Sequence, residues 1–255
     1  MVAPLLFASM MMLQGAAQAP DDFEQFRIEI TGSYWRLNPT GNVQTRSTEV
    51  DLRSDLGIRG QKGHGLFKVA VKPARKHRIL FETVPYRLKG HNTITRTFEF
   101  GGRTYTGQDT IDSDARINYL FGGYQYDFVS RPQGHVGVQV GAGYFDATAT
   151  VTSQRFGSST EDGKAPMPLI GAEFRSFPIR GKNAFNLNGH VKGMTFGSYG
   201  HYIQSDLNAG FGIRRHLTLQ ASASVVDADV HRKDRTRGFK LQFIGPTVSV
   251  QVRDR

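Results

Sequence analysis

The chain is predicted to be all-β, an antiparallel up-and-down barrel that crosses a membrane. Three observations carry that reading. Apolar and polar residues alternate in segment after segment, the N-terminus reads as an export signal, and short and long connections take turns along the chain. The alternation is clearest from Phe185 to Val225. Phe185, Leu187, Gly189 and Val191 oppose Asn186, Asn188, His190 and Lys192. Ile203, Ser205, Leu207, Ala209, Phe211 and Ile213 oppose Gln204, Asp206, Asn208, Gly210, Gly212 and Arg214. Leu217, Leu219, Ala221, Ala223 and Val225 oppose Thr218, Gln220, Ser222, Ser224 and Val226. A period of two means strands with chemically different faces. Each run approaches the roughly 9–11 residues that cross a bilayer as a tilted strand.

The chemistry of the two faces orients the wall. The polar face is mostly Asn, Gln, Ser, Thr and Gly, which suits a confined lumen better than a solvated surface rich in Lys and Glu. The apolar face mixes small residues (Gly189, Ala209, Ala221, Ala223) with large ones, a roughness that lipid accepts and a closed core does not. The same alternation also fits a secreted, lipocalin-like carrier with its apolar face inside, and that alternative stands at this point.

Pro4 to Leu13 is an apolar run, and Ala17-Gln18-Ala19 has the small-x-small form of a cleavage site. Residues 1–19 are therefore expected to be a secretory signal peptide, too short for a membrane helix, and residues 20–255 a single barrel domain. The chain has no Cys, which removes disulfide and thiol chemistry. Its 29 Gly and 11% aromatic residues suit tight turns and interfacial girdles.

The strands follow in order. The first is expected from Glu24 to Leu37, with Phe26, Ile28 and Ile30 on its apolar face. Gly65–Pro73 and a strand starting at Ile79 flank the basic turn Ala74-Arg75-Lys76-His77. A long strand from Arg103 to Phe128 follows, with Gly122-Gly123 marking a bulge. Val136 to Tyr144 leads into a polar loop, Ser153 to Lys164, and Ala165–Phe177 returns. The three segments already described come next, and Phe239–Val252 ends the series. That makes ten strands, with eight and twelve as the neighbouring even counts. Short turns near residues 74–77, 129–134, 178–184 and 214–216 would face the periplasm, and the longer connections the outside. Tyr34, Trp35, Tyr124, Tyr126, Phe128, Tyr144, Tyr199 and Tyr202 are candidates for interfacial belts.

Two segments resemble known proteins. Asp51-Leu52-Arg53-Ser54-Asp55-Leu56-Gly57-Ile58, followed by a strand, a basic turn and Arg78-Ile79-Leu80-Phe81-Glu82-Thr83, resembles a pattern in uncharacterised bacterial outer-membrane barrel families, small barrels of the OmpA-like and porin-like kind. Gly123-Tyr124-Gln125-Tyr126-Asp127-Phe128 is a second such stretch. The resemblance implies a cell outer-membrane barrel and no particular substrate. The chain departs from the pattern at its end, Val252-Arg253-Asp254-Arg255, where such barrels usually finish on an aromatic residue.

Lys and Arg number 32 against 22 Asp and Glu, a net charge of +10. Arg75, Lys76, Arg180, Lys182, Arg215, Arg232 and Lys233 lie at turns, where they are candidates for contact with lipid headgroups, the phosphates of anionic phospholipid or lipopolysaccharide. The barrel-assembly machinery is the other expected partner. Nucleic acid is not, because the basic residues sit at both ends and do not share one face with aromatics.

One catalytic constellation can be drawn. Asp112 and Asp114 lie near the outer part of the fourth strand, and Asp229 and His231 near the outer end of the ninth. Residues two apart on a strand share a face. Facing each other across the mouth, the two pairs could activate water, with His as general base. The arrangement resembles that of omptins, outer-membrane proteases on ten-strand barrels, although here the second pair falls in the fifth outer hairpin. The plain alternative is that the four residues solvate the rim. No metal or cofactor is expected.

Expected lumen residues are Arg27, Glu29, Lys68, Lys72, Glu82, Glu173, Arg175, Asn186, Asn188, His190, Lys192, Asp206 and Arg214. Their mixed signs predict pairing across a narrow interior, with each carboxylate beside a Lys or Arg. The functional expectation is a structural, surface-binding or narrow small-solute channel role and no enzymatic activity. A barrel-mouth hydrolase and a soluble carrier of apolar ligands are the alternatives.

Overall fold

Alternation along the chain becomes a closed wall in the computed structural model, which describes residues 24–45, 48–60, 62–179, 184–214, 216–231 and 238–254. The strands are β1 (Ile28–Gln44), β2 (Glu49–Asp51), β3 (Lys62–Ala74), β4 (His77–Thr93), β5 (Phe98–Phe100), β6 (Arg103–Tyr105), β7 (Thr110–Arg131), β8 (Gly134–Ser153), β9 (Gly157–Ile179), β10 (Phe185–Thr195), β11 (Gly200–Arg214), β12 (Leu217–His231) and β13 (Gly238–Arg253). Ten of them form the wall, in the order β1-β3-β4-β7-β8-β9-β10-β11-β12-β13. β13 pairs back onto β1, from Glu29 opposite Arg253 to Gln44 opposite Gly238. Closure leaves no continuous sheet edge, the condition for a β-protein to span a membrane. β2 adds to the end of β1, and β5–β6 is a separate hairpin. Both belong to connections at one end of the barrel, here the loop end. The connections β3–β4, β7–β8, β9–β10 and β11–β12 and the start of β1 lie at the other, the turn end.

The apolar face points outward. Ile28, Ile30, Phe67, Ile79, Phe81, Val138, Val140, Ile203, Leu207, Phe211, Val248 and Val250 are all exposed. Their strand neighbours Glu29, Thr31, Glu82, Gln139, Gln204, Asp206, Ser249 and Gln251 are buried. A soluble carrier hides its apolar face, so this burial pattern overturns the lipocalin-like orientation.

Several local expectations change. Phe26 is buried, because the chain turns into the barrel before β1 begins at Ile28. Gly122-Gly123 carries no bulge. The register shift falls at Asp127/Val129, and Gly123 instead leaves room for the Phe121 ring, which a Cβ there would meet at 2.6 Å. The polar stretch 153–164 is mostly strand, with β8 and β9 running on to a tight turn at residues 154–156. Hydroxyls pair across this extension, Thr150 with Thr160 at 3.0 Å and Thr152 with Ser158 at 3.2 Å, so its polarity marks strands above the apolar band and not a loop. Trp35 and Tyr202 do not join an outer aromatic belt, because both side chains are buried inside.

Candidate functional site

The interior is built in three storeys. At the turn end, Glu24 and Phe26 fold into the barrel. Arg78 donates to Glu24 Oε2 at 2.6 Å and to Asp127 Oδ2 at 2.8 Å. Lys72 Nζ lies 3.5 Å from Glu24, and His135 Nδ1 lies 3.2 Å from it. Arg175 holds Glu29 through two bonds of 2.8 Å, and Arg253 donates to the same carboxylate at 2.6 Å. Lys72, Arg78 and Arg253 stand 5.1, 5.4 and 5.4 Å from the centre of the Phe26 ring. A second charge cluster lies above this one. Lys192 donates to Glu82 at 2.8 Å, Lys68 donates to Asp206 at 3.2 Å, and His190 Nε2 lies 3.1 Å from Asp206. The polar void between the two clusters measures only about 100 Å³.

The expected lumen residues Glu29, Lys68, Lys72, Glu82, Glu173, Arg175, Asn186, Asn188, His190, Lys192 and Asp206 are buried inside or line this void. Each of the four carboxylates has a basic side chain within 4 Å, Glu173 through Arg175 at 3.8 Å. Arg27 and Arg214 are corrections, since both are exposed. Arg27 precedes the wall, and a register shift at Gly212/Arg214 displaces Arg214 from the inward phase. Glu24, Arg78, Asp127, His135 and Arg253 belong to the plug and were absent from the expected set. Arg78, His135 and Arg253 stand on the inward phase of their strands, which was their signal.

The middle storey is aromatic. Trp35, Tyr86 and Phe243 pack together, with Tyr86 and Phe243 ring centres 5.0 Å apart. Tyr119, Phe145 and Tyr202 form a second group, Tyr119 and Phe145 at 4.7 Å. These rings come from β1, β4, β13, β7, β8 and β11, so they close the barrel from opposite sides. Tyr202 faces the charged storey below, donating to Gln204 at 2.8 Å, and Gln204 donates to Glu82 at 2.9 Å.

Above the rings the inner face is mostly apolar, with Thr148 of β8 and Glu161, Asp162 and Lys164 of β9 also at the chamber. Leu88, Ala115, Ile117, Phe145, Ala147, Ala149, Ala165, Ala228, Leu241 and Phe243 line a chamber of about 550 Å³. That volume is in the range of a small-molecule site. The connection from β1 to β3 folds down over it. Leu52, Leu56 and Ile58 are buried against the chamber, while its polar groups bond to each other and to the rim. Asp51 accepts from the Arg53 and Ser54 amides at 2.9 and 2.7 Å. Asn92 of β4 donates to the Ser54 and Asp55 carbonyls at 2.6 and 3.0 Å, and Arg96 donates to Asp55 at 2.9 Å. The Asp51–Ile58 motif is thus an inward-folded lid. Glycines set how closely it docks. A Cβ on Gly90 would lie 2.1 Å from the Leu56 carbonyl oxygen, and Gly57 has φ +67°.

The proposed catalytic pairs do not meet. Ile111 and Ser113 are buried, so Asp112 and Asp114 point outward from β7, Asp112 beside His91 at 2.7 Å and Asp114 beside Arg116 at 3.3 Å. Val226 and Ala228 are buried, so Asp229 points outward from β12, on the opposite side of the barrel. His231 lies at the chamber rim, 3.2 Å from Asp229. The rule that residues two apart share a face holds, but that face is the outer one. Among the described residues no group of three or more His, Asp or Glu side chains is arranged to hold a metal. Arg75 and Lys76 are exposed at the β3–β4 turn. Arg180, Lys182, Arg215, Arg232, Lys233 and the expected signal peptide lie outside the described residues.

No protein-family model matches this chain, and no curated protein matches it. Among solved structures it is similar to the outer membrane protease OmpT from Escherichia coli, with 10% identity over 94% of this chain and 99% of that one, at a TM-score of 0.62. The transport unit of the autotransporter AIDA-I from Escherichia coli (8% identity, 97% of each chain, TM-score 0.46) and the translocator domain of the autotransporter NalP from Neisseria meningitidis (9% identity, 98% and 93%, TM-score 0.45) also match. At these identities the likeness is one of fold, a closed antiparallel barrel of the outer-membrane type.

Proposed function

We propose that this protein is an outer-membrane barrel that takes an apolar molecule into its loop-end chamber and does not serve as an aqueous pore. The carrying observation is an inversion of the lining. In the turn-end half the inner face is charged and paired shut. In the loop-end half it is mostly apolar, with Glu161, Asp162 and Lys164 on its β9 side, floored by rings and covered by the lid. Water gains little by filling such a space, whereas a hydrocarbon gains about 25 cal/mol for each Å² it removes from water. The outward apolar side chains support residence in a bilayer, with the lid end outside. The exposed Arg75 and Lys76 at the turn end suit phosphate-bearing headgroups.

The test is equilibrium binding of cis-parinaric acid, a fluorescent single-chain fatty acid, to the barrel in liposomes. Ala147→Trp places an indole on the inner face of β8, within the chamber. Saturable binding that falls at least about ten-fold in this variant is expected, a loss of roughly 1.4 kcal/mol. Binding equal in both proteins would sink the chamber reading.

A further inference from the structure

The wall is not uniformly tall. β9 pairs with β8 from Gly157 through Ser176, but with β10 only as far as Ile170, opposite Gly193. Beyond Ile170, toward the loop end, no strand of the wall among the described residues pairs with the other edge of β9. β10 stops at Thr195, and the chain turns back through residues 196–199 into β11. The sequence explains where the pairing ends. Pro166 and Pro168 follow directly along β9, opposite Tyr144 and Ala142 of β8. A proline has no N–H, so within a sheet it sits where that donor would go unpaired. Two prolines two residues apart remove donors from the same edge. The β8 ladder runs past both without a break, so the edge they blunt is the one toward β10.

Side chains mark an opening there. Met194 stands opposite Tyr202, on the inward phase of β10. Tyr202 is 1% exposed and Met194 is 39% exposed, so the wall is open beside Met194. Gly163 and Ala165, flanked by Glu161, Asp162 and Lys164, on one side of the gap and Tyr199 on the other all line the chamber. A Cβ on Gly163 would meet no atom within 4 Å. Ile170, 66% exposed, and Tyr144, opposite Pro166, put the gap at the upper border of the outward apolar band.

We propose that this gap is a lateral port through which a hydrocarbon chain passes between the surrounding membrane and the chamber. The inference rests on the apolar-ligand reading above and adds the source of the ligand, which is the bilayer and not the water over the lid. An apolar chamber joined to the lipid-facing surface by an unpaired edge lets a chain slide in without crossing water. The lid then serves to keep the mouth dry.

The chain has no cysteine, so an introduced pair reacts alone. Gly163→Cys/Tyr199→Cys, joined by bis-maleimidoethane, straps the gap. The protein is held in phosphatidylcholine liposomes, and loading with cis-parinaric acid already dissolved in that membrane is followed by fluorescence. The strapped protein is expected to load at least about ten-fold more slowly than the same double variant before the linker is added. If the linker does not close the pair, Gly163→Cys carrying a pyrene maleimide fills the gap and gives the same reading. Loading that is equally fast with the gap blocked overturns the port and leaves the chamber reading intact. A wild-type protein that takes up no cis-parinaric acid overturns both.

Discussion

Lys192 on β10 reaches across the lumen to Glu82 on β4, its Nζ 2.8 Å from Oε2 and 4.1 Å from the centre of the Phe121 ring. The pair joins strands from different sides of the wall just below the aromatic storey. It is buried, and the Lys192 ammonium depends on Glu82, which also has Lys68 Nζ 3.7 Å away. Glu82→Ala strands the ammonium among rings and should destabilise the barrel by about 3–5 kcal/mol. The double variant Glu82→Leu/Lys192→Met removes both charges and should recover most of that loss. Urea titration of the liposome-embedded protein, read by heat-modifiable gel migration, separates the two. Equal midpoints for Glu82→Ala and the wild type would mean that the ammonium finds another partner.

The turn-end plug makes an electrical prediction. Arg175 and Glu29 form a bidentate pair whose other partner is Arg253, at the end of the last strand. With these groups in place the void above is too small for a hydrated path. The wild type should show no resolvable conductance in planar bilayers. Glu29→Ala/Arg175→Ala/Arg253→Ala should show discrete steps if the barrel still assembles, which its gel mobility reports. Steps of equal size in the wild type would mean that the plug is not the barrier.

How much of this was legible in the sequence depends on the storey. The wall was readable because every lipid-facing residue sits two from the next. The charged lumen was readable for the same reason, and the mixed signs of Glu29, Glu82, Arg175 and Lys192 implied pairing. The chamber was also encoded, as a change of parity. In β13 the apolar residues are Val252, Val250, Val248 and Ile244 at the turn end, then Phe243, Leu241 and Phe239 at the loop end. In β12 they move from Leu219, Ala221, Ala223 and Val225 to Val226, Ala228 and Val230. An alternation that changes face partway along a strand means an inner surface that turns apolar. A single phase assigned to each strand conceals it. What no strand pattern carries is closure. Arg175 of β9 meets Glu29 of β1, and β13 lies beside β1, because of how ten strands come full circle. The Asp112 and Asp229 pairs do stand on opposite sides of the wall, as their strand numbers imply, but on its outer face and not its inner one.

The lid makes a packing prediction. Gly90 lets β4 approach the Leu56 carbonyl so closely that any side chain there collides with backbone. Gly90→Val should lift the segment that carries Leu52, Leu56 and Ile58 while leaving the wall intact, because β4 keeps its pairing with β7. Cleavage by added trypsin at Arg53 or Arg59 should then quicken by at least about ten-fold, with heat-modifiable migration unchanged. Resistance equal to the wild type would show that the lid docks by its hydrogen bonds and not by this close approach.

Those hydrogen bonds carry a pH dependence whose sign follows from Asp51. Partial burial raises the pKa of its carboxyl, but the Ser54 amide, the Ser54 hydroxyl, the Arg53 amide and the Arg53 charge together hold it below the ordinary value. An ordinary aspartate titrates near 3.9, and a group lowered in the folded state stabilises that state at every pH above the unfolded value. The contribution is lost as pH falls through the lowered folded value, when the protonated oxygen no longer accepts the amide bonds as an anion. The lid should therefore hold equally well between about pH 5 and pH 8 and loosen only below about pH 4. A spin label on Arg59→Cys, the sole cysteine in that variant, reports the mobility of the segment directly. Asp51→Asn keeps an acceptor oxygen but has no charge to lose, so its lid should be looser at neutral pH, with the acid-induced loosening reduced. A label equally mobile at pH 3 and pH 7 in the parent protein would mean that the apolar contacts of Leu52, Leu56 and Ile58 hold the lid without help from Asp51.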